Sequence, residues 1–531
     1  MALLKLCSLS FLLSSAVFAA DYAPVSSSCP SSSTTLVREA SSGLSTEEST
    51  WAEARKAIAD EALATWLAKQ NSAWAEATTL PKLALSSSGG GYRAMLGGAG
   101  VIKGFDSRDS NVSTSGLWQA LTYHAGLSGG AWLVASVAGN NWPTVSSLVT
   151  GLWNDTLDET LLLAEGLDGA IDIVANLKAK EKAGFDTTLT DSWGRLLSYQ
   201  ILYGDDGGVN KTLSGIAEFT EYTSHNAPFP IMTSTGVEVW DGQCSPDALG
   251  TQYEFSPLEF GSWDSGVAAF VPTEYLGSSL SNGAPSGSDC VTGYDQLGYM
   301  FGTSSSLFNL ACIPADVNAT EIGTLLYEIL IKVHEAATKD LFGVFPNPFY
   351  EYTTSSDVSA QDTLYLVDGA ESGQNIPLWP LIQPARGIDV IFANDLSADT
   401  DYNWPNGTEI LQTYTTATAE GLTTMPQIPS VDTFLSEGLN TRPVFFGCND
   451  ADVITIIYLP NYNYSYASNV STLQLEYEAT ETAALVANGV EIASYGGKAD
   501  FGPCLACGIM QKSGATLPSE CTDCLASYCY N

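Results

Sequence analysis

The chain has 531 residues, and its 59 acidic residues against 20 basic ones give a formal net charge of −39. Such an acidic surface argues against nucleic acid and strongly anionic membranes as partners, because like charges repel. The length admits about three average domains or one large α/β core. Carboxylate repulsion weakens near the low isoelectric point, so we expect an acidic extracellular habitat and no stability maximum well above pH 7.

Residues 1–19 have the pattern of a secretory signal peptide. Lys5 precedes an apolar run over residues 9–18, and Val17 and Ala19 are small residues that suit cleavage after Ala19. We expect a secreted, extracellular protein without a transmembrane segment or a lipid-anchor signal. Sequons of the form Asn-x-Ser/Thr fit an exported glycoprotein. We expect N-glycans at some of the seven sequons, which are Asn111, Asn154, Asn210, Asn318, Asn406, Asn463 and Asn469.

The first strong pattern of the mature chain is helical. Ser45 and Glu48 form a candidate capping box, and apolar residues recur at helical spacing from Trp51 to Trp66. Residues 83–86 then read as a short buried strand, followed by a Gly-rich loop and a helix that extends toward Ile102. A second strand leads to residue 126. This order predicts a right-handed βαβ unit with both loops at the same edge of a parallel sheet.

The second strand runs into Gly126-Leu127-Ser128-Gly129-Gly130, and a helix follows. Small residues on both sides of a serine allow a sharp strand-to-helix turn that exposes the hydroxyl, so this pattern predicts a nucleophile elbow. Ser128 is the leading candidate nucleophile. A plain Gly-rich turn is the alternative reading of the same pattern.

Residues 151–348 mix helical and strand signals, as cap segments inserted into a core do. The serine cluster at residues 304–306 lacks flanking glycines, so it ranks well behind Ser128 and is interpreted as loop packing. Residues 362–368 form an apolar strand that ends at Asp368-Gly369, which indicates either a site carboxylate or a strand-ending turn. Further strands are predicted at residues 389–393 and 453–458. We expect one large domain over residues 20–531.

Eleven cysteines become ten once Cys7 leaves with the signal peptide. Five lie in the body and five in the tail (residues 504–531), so complete pairing within the chain requires at least one bridge between them. Two Cys-x-x-Cys pairs in the tail also resemble a zinc ribbon, but export favours disulfides. The ten are Cys29, Cys244, Cys290, Cys312, Cys448, Cys504, Cys507, Cys521, Cys524 and Cys529.

Acyl transfer needs a nucleophile, a proton acceptor and donors for the oxyanion. Ser128 supplies the first, and the N–H groups of Gly90 and Gly91 are candidates for the oxyanion hole. Arg93 carries a permanent charge that suits a phosphate or a developing negative charge, or else it pairs with a carboxylate.

The proton acceptor is harder to assign. The mature chain holds only His124, His225 and His334, and no histidine follows Asp368. The α/β-hydrolase order of serine, acid and histidine therefore cannot include Asp368. We interpret all three histidines as structural and predict a dyad of Ser128 with Asp368, whose proton affinity burial would raise.

Three motifs together resemble the cytosolic phospholipase A2 catalytic-domain superfamily, and most closely the fungal secreted lysophospholipases, also called phospholipase B. They are residues 88–95, 126–130 and 367–369, and residues 260–264, 302–309, 374–381 and the Cys-rich tail are also similar to that family. The resemblance implies a three-layer α/β/α fold with a mostly parallel central sheet, an elbow, cap segments and a disulfide-rich tail.

The resemblance also implies a function. It predicts hydrolysis of fatty acyl esters in lysophospholipids and leaves open whether diacyl phospholipids are also substrates. The substrate would be met as a monomer, in a micelle or at a membrane surface. Ser128 would be the nucleophile, Asp368 its partner, Gly90 and Gly91 the oxyanion hole and Arg93 the stabilising cation. No cofactor and no metal are expected.

The chain departs from the family at one position, where Ala370 replaces the second glycine after the aspartate. If that glycine must adopt positive φ, Ala370 would strain the turn and misplace the carboxylate. Two alternatives therefore stay open: a Ser-His-Asp esterase acting on other lipids, and a catalytically weak glycoprotein on the same scaffold.

Overall fold

The computed structural model describes residues 21–30, 35–161, 166–312 and 338–530. The predicted signal peptide (residues 1–19), the sequon at Asn318 and His334 lie outside these ranges, so the structure says nothing of them.

The strands are short and most belong to one large sheet. In chain order they are β1 Val25–Ser28, β2 Arg38–Glu39, β3 Leu83–Ser87, β4 Leu121–Gly126, β5 Phe229–Gly236, β6 Gln252–Phe255, β7 Glu259–Ser262, β8 Ala269–Pro272, β9 Leu280–Ser281, β10 Ala284–Pro285, β11 Asp289–Thr292, β12 Gly343–Pro346, β13 Thr363–Asp368, β14 Val390–Asp395, β15 Val444–Phe446 and β16 Thr455–Pro460.

The longer helices lie between these strands and after the last one. They are α1 Thr46–Gln70, α2 Gly91–Phe105, α3 Gly129–Ala138, α4 Gly166–Lys182, α5 Leu189–Ile201, α6 Leu297–Thr303, α7 Thr408–Ala419, α8 Ala479–Ser494, α9 Phe501–Met510 and α10 Cys521–Tyr528. Short helical segments occupy Leu117–Ala120, Val145–Leu148, Asn154–Thr156, Thr220–Thr223 and Val431–Ser436.

Within the described ranges the main sheet has 12 strands, in the order β15-β16-β14-β3-β4-β5-β6-β7-β8-β2, with β13 also paired to β5 and β12 to β13. The central strands β16, β14, β3, β4 and β5 are mutually parallel, and the flanking pairs are antiparallel. Every residue of β3, β4 and β14 is buried, so the centre of the sheet is covered on both faces. The predicted α/β class, with a parallel centre between covering layers, is confirmed.

The unit β3-α2-β4 is the βαβ motif that the sequence predicts. Helix α2 begins at Gly91, directly after the Gly-rich loop, and packs closely on α8. A Cβ on Gly100 would lie 2.2 Å from the carbonyl oxygen of Val486 and 2.6 Å from the Cα of Gly489. Only glycines allow this contact between backbones, which fixes the helix that carries the loop.

Strand β13 reaches the site from the opposite direction to β4. Both strands pair with the same side of β5, where Gly126 at the end of β4 lies opposite Met232 and Asp368 at the end of β13 lies opposite Ser234. Because β4 is parallel to β5 and β13 is antiparallel to it, their two ends point toward each other. The sheet therefore brings the elbow and Asp368 together, although they are far apart in sequence.

The start of α1 differs in part from its prediction. Ser45 caps the helix, because its Oγ accepts the N–H of Glu48 at 3.1 Å. The Glu48 carboxylate does not complete the box but binds the buried Arg386 guanidinium at 2.9 Å, which Glu254 also binds at 2.5 Å. A buried arginine without partners would cost several kcal/mol, so both carboxylates are drawn toward it.

The ten cysteines from Cys29 to Cys529 all form disulfides, as the export argument predicts, so the tail cysteines are not zinc ligands. Cys448 in the body pairs with Cys529 in the tail, the bridge that the odd counts require. The other pairs are Cys29–Cys290, Cys244–Cys312, Cys504–Cys524 and Cys507–Cys521.

None of the helices in the described ranges has both the length and the apolar character needed to cross a bilayer.

Candidate active site

Ser128 stands at a strained turn between β4 and α3. Its backbone has φ 50° and ψ −122°, a region that residues with a side chain rarely occupy. The turn is possible because its glycines press on other backbone atoms: a Cβ on Gly126 would lie 2.3 Å from the oxygen of Gly130, and one on Gly130 would lie 2.1 Å from the oxygen of Ser87. This is the geometry of a nucleophile elbow.

Asp368 is the last residue of β13 and is 2% exposed. The Ser128 side chain lies within hydrogen-bonding reach of its carboxylate, and the N–H of Ala370 donates to that carboxylate at 2.9 Å. Burial raises the pKa of Asp368 to about 7, although the interactions with Ala370 and Ser128 act to lower it. A carboxylate with this proton affinity can accept the proton of a serine hydroxyl more readily than an exposed one can.

Ala370 does not strain the turn, because its φ is negative, and its N–H donates to Asp368. The residue that must be glycine is Gly369, whose Cβ would lie 2.9 Å from the oxygen of Thr233 and 3.2 Å from the Cβ of Leu127. The expected difficulty at Ala370 therefore does not arise, because that position needs an N–H and not a left-handed backbone.

The Gly-rich loop lies against the elbow. A Cβ on Gly129 would come within 2.1 Å of the oxygen of Gly91, so only a bare backbone fits between Ser128 and the loop. Gly90 has φ 133° and Gly91 has φ 62°. Neither N–H has a hydrogen-bond partner among the described residues. Two free N–H groups beside a serine are what an oxyanion hole requires.

Arg93 is fully buried in the first turn of α2 and faces the back of the loop. Its Nε donates to the oxygen of Leu396 at 2.9 Å, and its Nη1 donates to Val470 O at 2.8 Å and to Thr472 Oγ1 at 2.9 Å. Burial lowers its pKa to about 10, which leaves it charged at physiological pH. A Cβ on Gly90 would lie 2.4 Å from its Nη2, so the positive charge sits directly behind the loop.

The two histidines that the structure describes do not approach Ser128. His124 points its Nε2 at Ser87 Oγ, 3.0 Å away, and burial lowers its pKa to about 3. His225 lies just before β5, at the end of the parallel strands opposite to the elbow, and its ring packs on Trp51.

The sequence did not reveal how the loop is held. Asn375 accepts the N–H of Gly89 with its backbone oxygen at 3.0 Å and donates from its side chain to Ser397 Oγ at 2.7 Å. Its own N–H donates to the buried carboxyl of Glu409 at 2.6 Å. Asn375 follows Asp368 by seven residues and lies in the segment 374–381 that resembles the family, but the resemblance gave no role for it.

Buried carboxyl groups give the protein an expected pH dependence of stability. Burial raises the pKa of Asp295 to about 6, of Asp264 and Asp399 to about 7 and of Glu371 to about 8, as it does for Asp368. An unfolded carboxyl releases its proton near pH 4, so between about pH 4 and pH 7 the folded state binds more protons. Stability should therefore fall as pH rises through this window. We expect a higher Tm at pH 5 than at pH 8, measured by scanning calorimetry.

His124 and His225 oppose this trend, because burial lowers the pKa of each and so costs stability as the pH falls below about 6. The five carboxyls outnumber these two histidines, so a Tm that rises from pH 5 to pH 8 would contradict the assignment of the carboxyls as protonated in the folded state.

Residues 83–531 match the family model described as the lysophospholipase catalytic domain. The chain belongs to this family. Among fungal members, the lysophospholipase of Penicillium chrysogenum is 39% identical over an alignment that covers 96% of this chain and 90% of that protein. The lysophospholipase of Kluyveromyces lactis is 40% identical, with 85% of this chain and 76% of that protein covered. As a family member the chain is a carboxylic ester hydrolase.

The fold is also that of a solved structure. Human GIVD cytosolic phospholipase A2 superposes with a TM-score of 0.68 over 92% of this chain and 72% of that one, at 17% sequence identity. This likeness confirms the predicted fold.

Proposed function

We propose that the protein is a secreted lysophospholipase, or phospholipase B, that hydrolyses the fatty acyl ester of lysophospholipids through an acyl-serine intermediate. The observation that carries this proposal is the end-to-end approach of β4 and β13 on β5, which places the Ser128 hydroxyl within hydrogen-bonding reach of a buried carboxylate. The named activity of the fungal relatives supports the substrate class.

In the proposed reaction, Ser128 Oγ attacks the acyl carbon while its proton passes to Asp368. The carbonyl oxygen becomes an oxyanion that the N–H groups of Gly90 and Gly91 receive, and the charge of Arg93 behind the loop adds to this stabilisation. The intermediate then expels the glycerol oxygen of the lysophospholipid, which takes the proton from Asp368.

Deacylation repeats the steps with water. Asp368 accepts a proton as water attacks the acyl-serine, the second oxyanion occupies the same hole, and the fatty acid leaves as Ser128 recovers its proton. One carboxylate therefore serves both half-reactions, because each begins with a neutral hydroxyl and ends with a neutral leaving group.

The experiment that tests the proposal follows fatty-acid release from lysophosphatidylcholine by the purified protein, before and after a fluorophosphonate probe. We expect release to stop in proportion to labelling, and peptide mass spectrometry to find the probe on Ser128. Protein that releases no fatty acid, or a label on another residue, would count against the proposal.

A Ser-His-Asp esterase is the enzymatic alternative, and alanine at each of the three histidines separates it from the dyad, which predicts that no single substitution abolishes turnover. His225→Ala should change kcat less than about twofold, because this ring lies at the far edge of the sheet. A loss of about 10³-fold or more, typical of removing a catalytic base, would favour the triad. Kinetic assays on lysophosphatidylcholine measure the difference.

A weakly active glycoprotein is the remaining alternative, and its main support was Ala370. With a negative φ and an N–H that donates to Asp368, this residue gives no physical reason for low activity.

The exposure of the side chains favours N-glycans at Asn111, Asn210 and Asn463, whereas the side chain of Asn469 already donates to Tyr402 O.

A further inference from the structure

Ser304 follows helix α6 directly and begins a buried turn, residues 304–306, here called the serine turn. Sequence reasoning treats this cluster as loop packing. In the structure Ser304 has no exposed surface and lies between the end of β4 and the end of β13. Its hydrogen bonds reach both halves of the proposed dyad.

The first contact fills a gap in the sheet. On β5, Met232 pairs with the last residue of β4 and Ser234 pairs with Asp368, which leaves Thr233 between the two strand ends. The Ser304 hydroxyl donates to the carbonyl oxygen of Thr233 at 2.5 Å. A side chain therefore provides the donor that neither strand supplies at this position.

The same residue also accepts hydrogen bonds from both strand ends. The N–H of Ser128 lies 3.1 Å from the carbonyl oxygen of Ser304 and 3.1 Å from its Oγ. The N–H of Gly369 lies 3.3 Å from that carbonyl oxygen, and the N–H of Asp368 donates to Ser306 O at 2.9 Å. One short turn thus binds the backbone of the elbow and the backbone of the acid.

We infer that Ser304 is a positioning residue, which sets the separation of Ser128 and Asp368 by tying β4, β13 and Thr233 to one point. This inference rests on the proposed function, because the dyad is what it positions. The strained φ of Ser128 makes such a restraint necessary: a turn in this conformation persists only where its surroundings hold it.

The neighbouring Ser305 offers a matched control. It is also buried, and its hydroxyl is saturated: it donates to Phe301 O at 2.9 Å and accepts the indole N–H groups of Trp132 and Trp193, each at 2.9 Å. These bonds hold the turn to α3 and α5 and do not involve the dyad.

The test compares Ser304→Ala with Ser305→Ala on lysophosphatidylcholine. Ser304→Ala should lower kcat by about 10-fold to 100-fold with KM within about twofold, because a small displacement of the reacting groups is costly. The acid limb of the pH profile of kcat should move to higher pH in this variant. The interaction with Ser128 lowers the pKa of Asp368, and the displacement would weaken that interaction. Ser305→Ala should lower Tm but keep kcat within about twofold and leave the acid limb unchanged.

A cysteine variant keeps the test decisive if the alanine variant does not fold. Sulfur is a weaker hydrogen-bonding group than oxygen, so Ser304→Cys should lie between Ser304→Ala and wild type in kcat, with Ser305→Cys as its control. Wild-type kcat in the Ser304 variants, or equal losses at both serines, would overturn the inference. A wild-type protein that shows no turnover, or an active Ser128→Ala, would instead overturn the proposed function.

Discussion

Replacing Ser128 by Ala, or Asp368 by Asn, should lower kcat for fatty-acid release by about 10⁴-fold or more. Ser128→Ala removes the nucleophile, and Asp368→Asn keeps the shape of the side chain but cannot take a proton. The two losses should be far from additive in the double variant, because each alone already stops the same step. Steady-state assays on lysophosphatidylcholine measure all three.

Asp264→Asn is the matched control for the acid. Asp264 is partly buried, and burial raises its pKa to about 7, as it does for Asp368, but its carboxylate accepts the N–H of Gln252 and the indole N–H of Trp379, both at 2.6 Å. This variant should change kcat less than about threefold. Activity that survives in Asp368→Asn, or is lost equally in Asp264→Asn, would contradict the role of Asp368 as the base.

The expected role of Asp368 also limits the acidic conditions under which the enzyme works. Only the ionised carboxylate can accept the serine proton, so kcat/KM should fall as the pH drops through about 7, the pKa of Asp368 in the free protein. Stability should increase over the same interval. The two trends oppose each other, because burial favours the protonated carboxyl for folding and catalysis needs the ionised one.

Local patterns predicted the half of the site that is built locally. The strand Leu83–Ser87, the helix Gly91–Phe105 and the strand Leu121–Gly126 follow one another within 44 residues, and their periodicity and glycines indicate a βαβ unit and an elbow. The prediction of Asp368 as the proton acceptor came instead from the lack of any histidine after it and from the resemblance to the family.

The other half depends on contacts between distant residues. The direction of β13 is set by its pairing with β5, more than a hundred residues earlier, and no local pattern distinguishes an antiparallel strand end from a parallel one. The same holds for Glu48, which pairs with Arg386 rather than completing a capping box. Ser304 looked like an ordinary loop serine because its partners, Thr233 and Ser128, lie on other elements.

Gly90→Ala should lower kcat by about 10³-fold, because the oxyanion hole depends on the backbone at this position. A φ of 133° is unsuited to a residue with a side chain, and the new Cβ would lie 2.4 Å from Arg93 Nη2 and 2.9 Å from Leu396 O. Arg93 cannot easily move, since Leu396, Val470 and Thr472 hold it. The loop must shift, and one lost oxyanion donor alone costs about 10²-fold to 10³-fold in kcat.

Gly421→Ala separates this effect from backbone strain. Gly421 also has a positive φ, 73°, but a Cβ there would meet nothing within 4 Å. Both variants should therefore lose stability, and only Gly90→Ala should lose kcat and react slowly with a fluorophosphonate, whose phosphonyl oxygen needs the same N–H donors. A folded Gly90→Ala protein with wild-type kcat would mean that the oxyanion is received elsewhere, and the free N–H groups of Gly90 and Gly91 would then need another explanation.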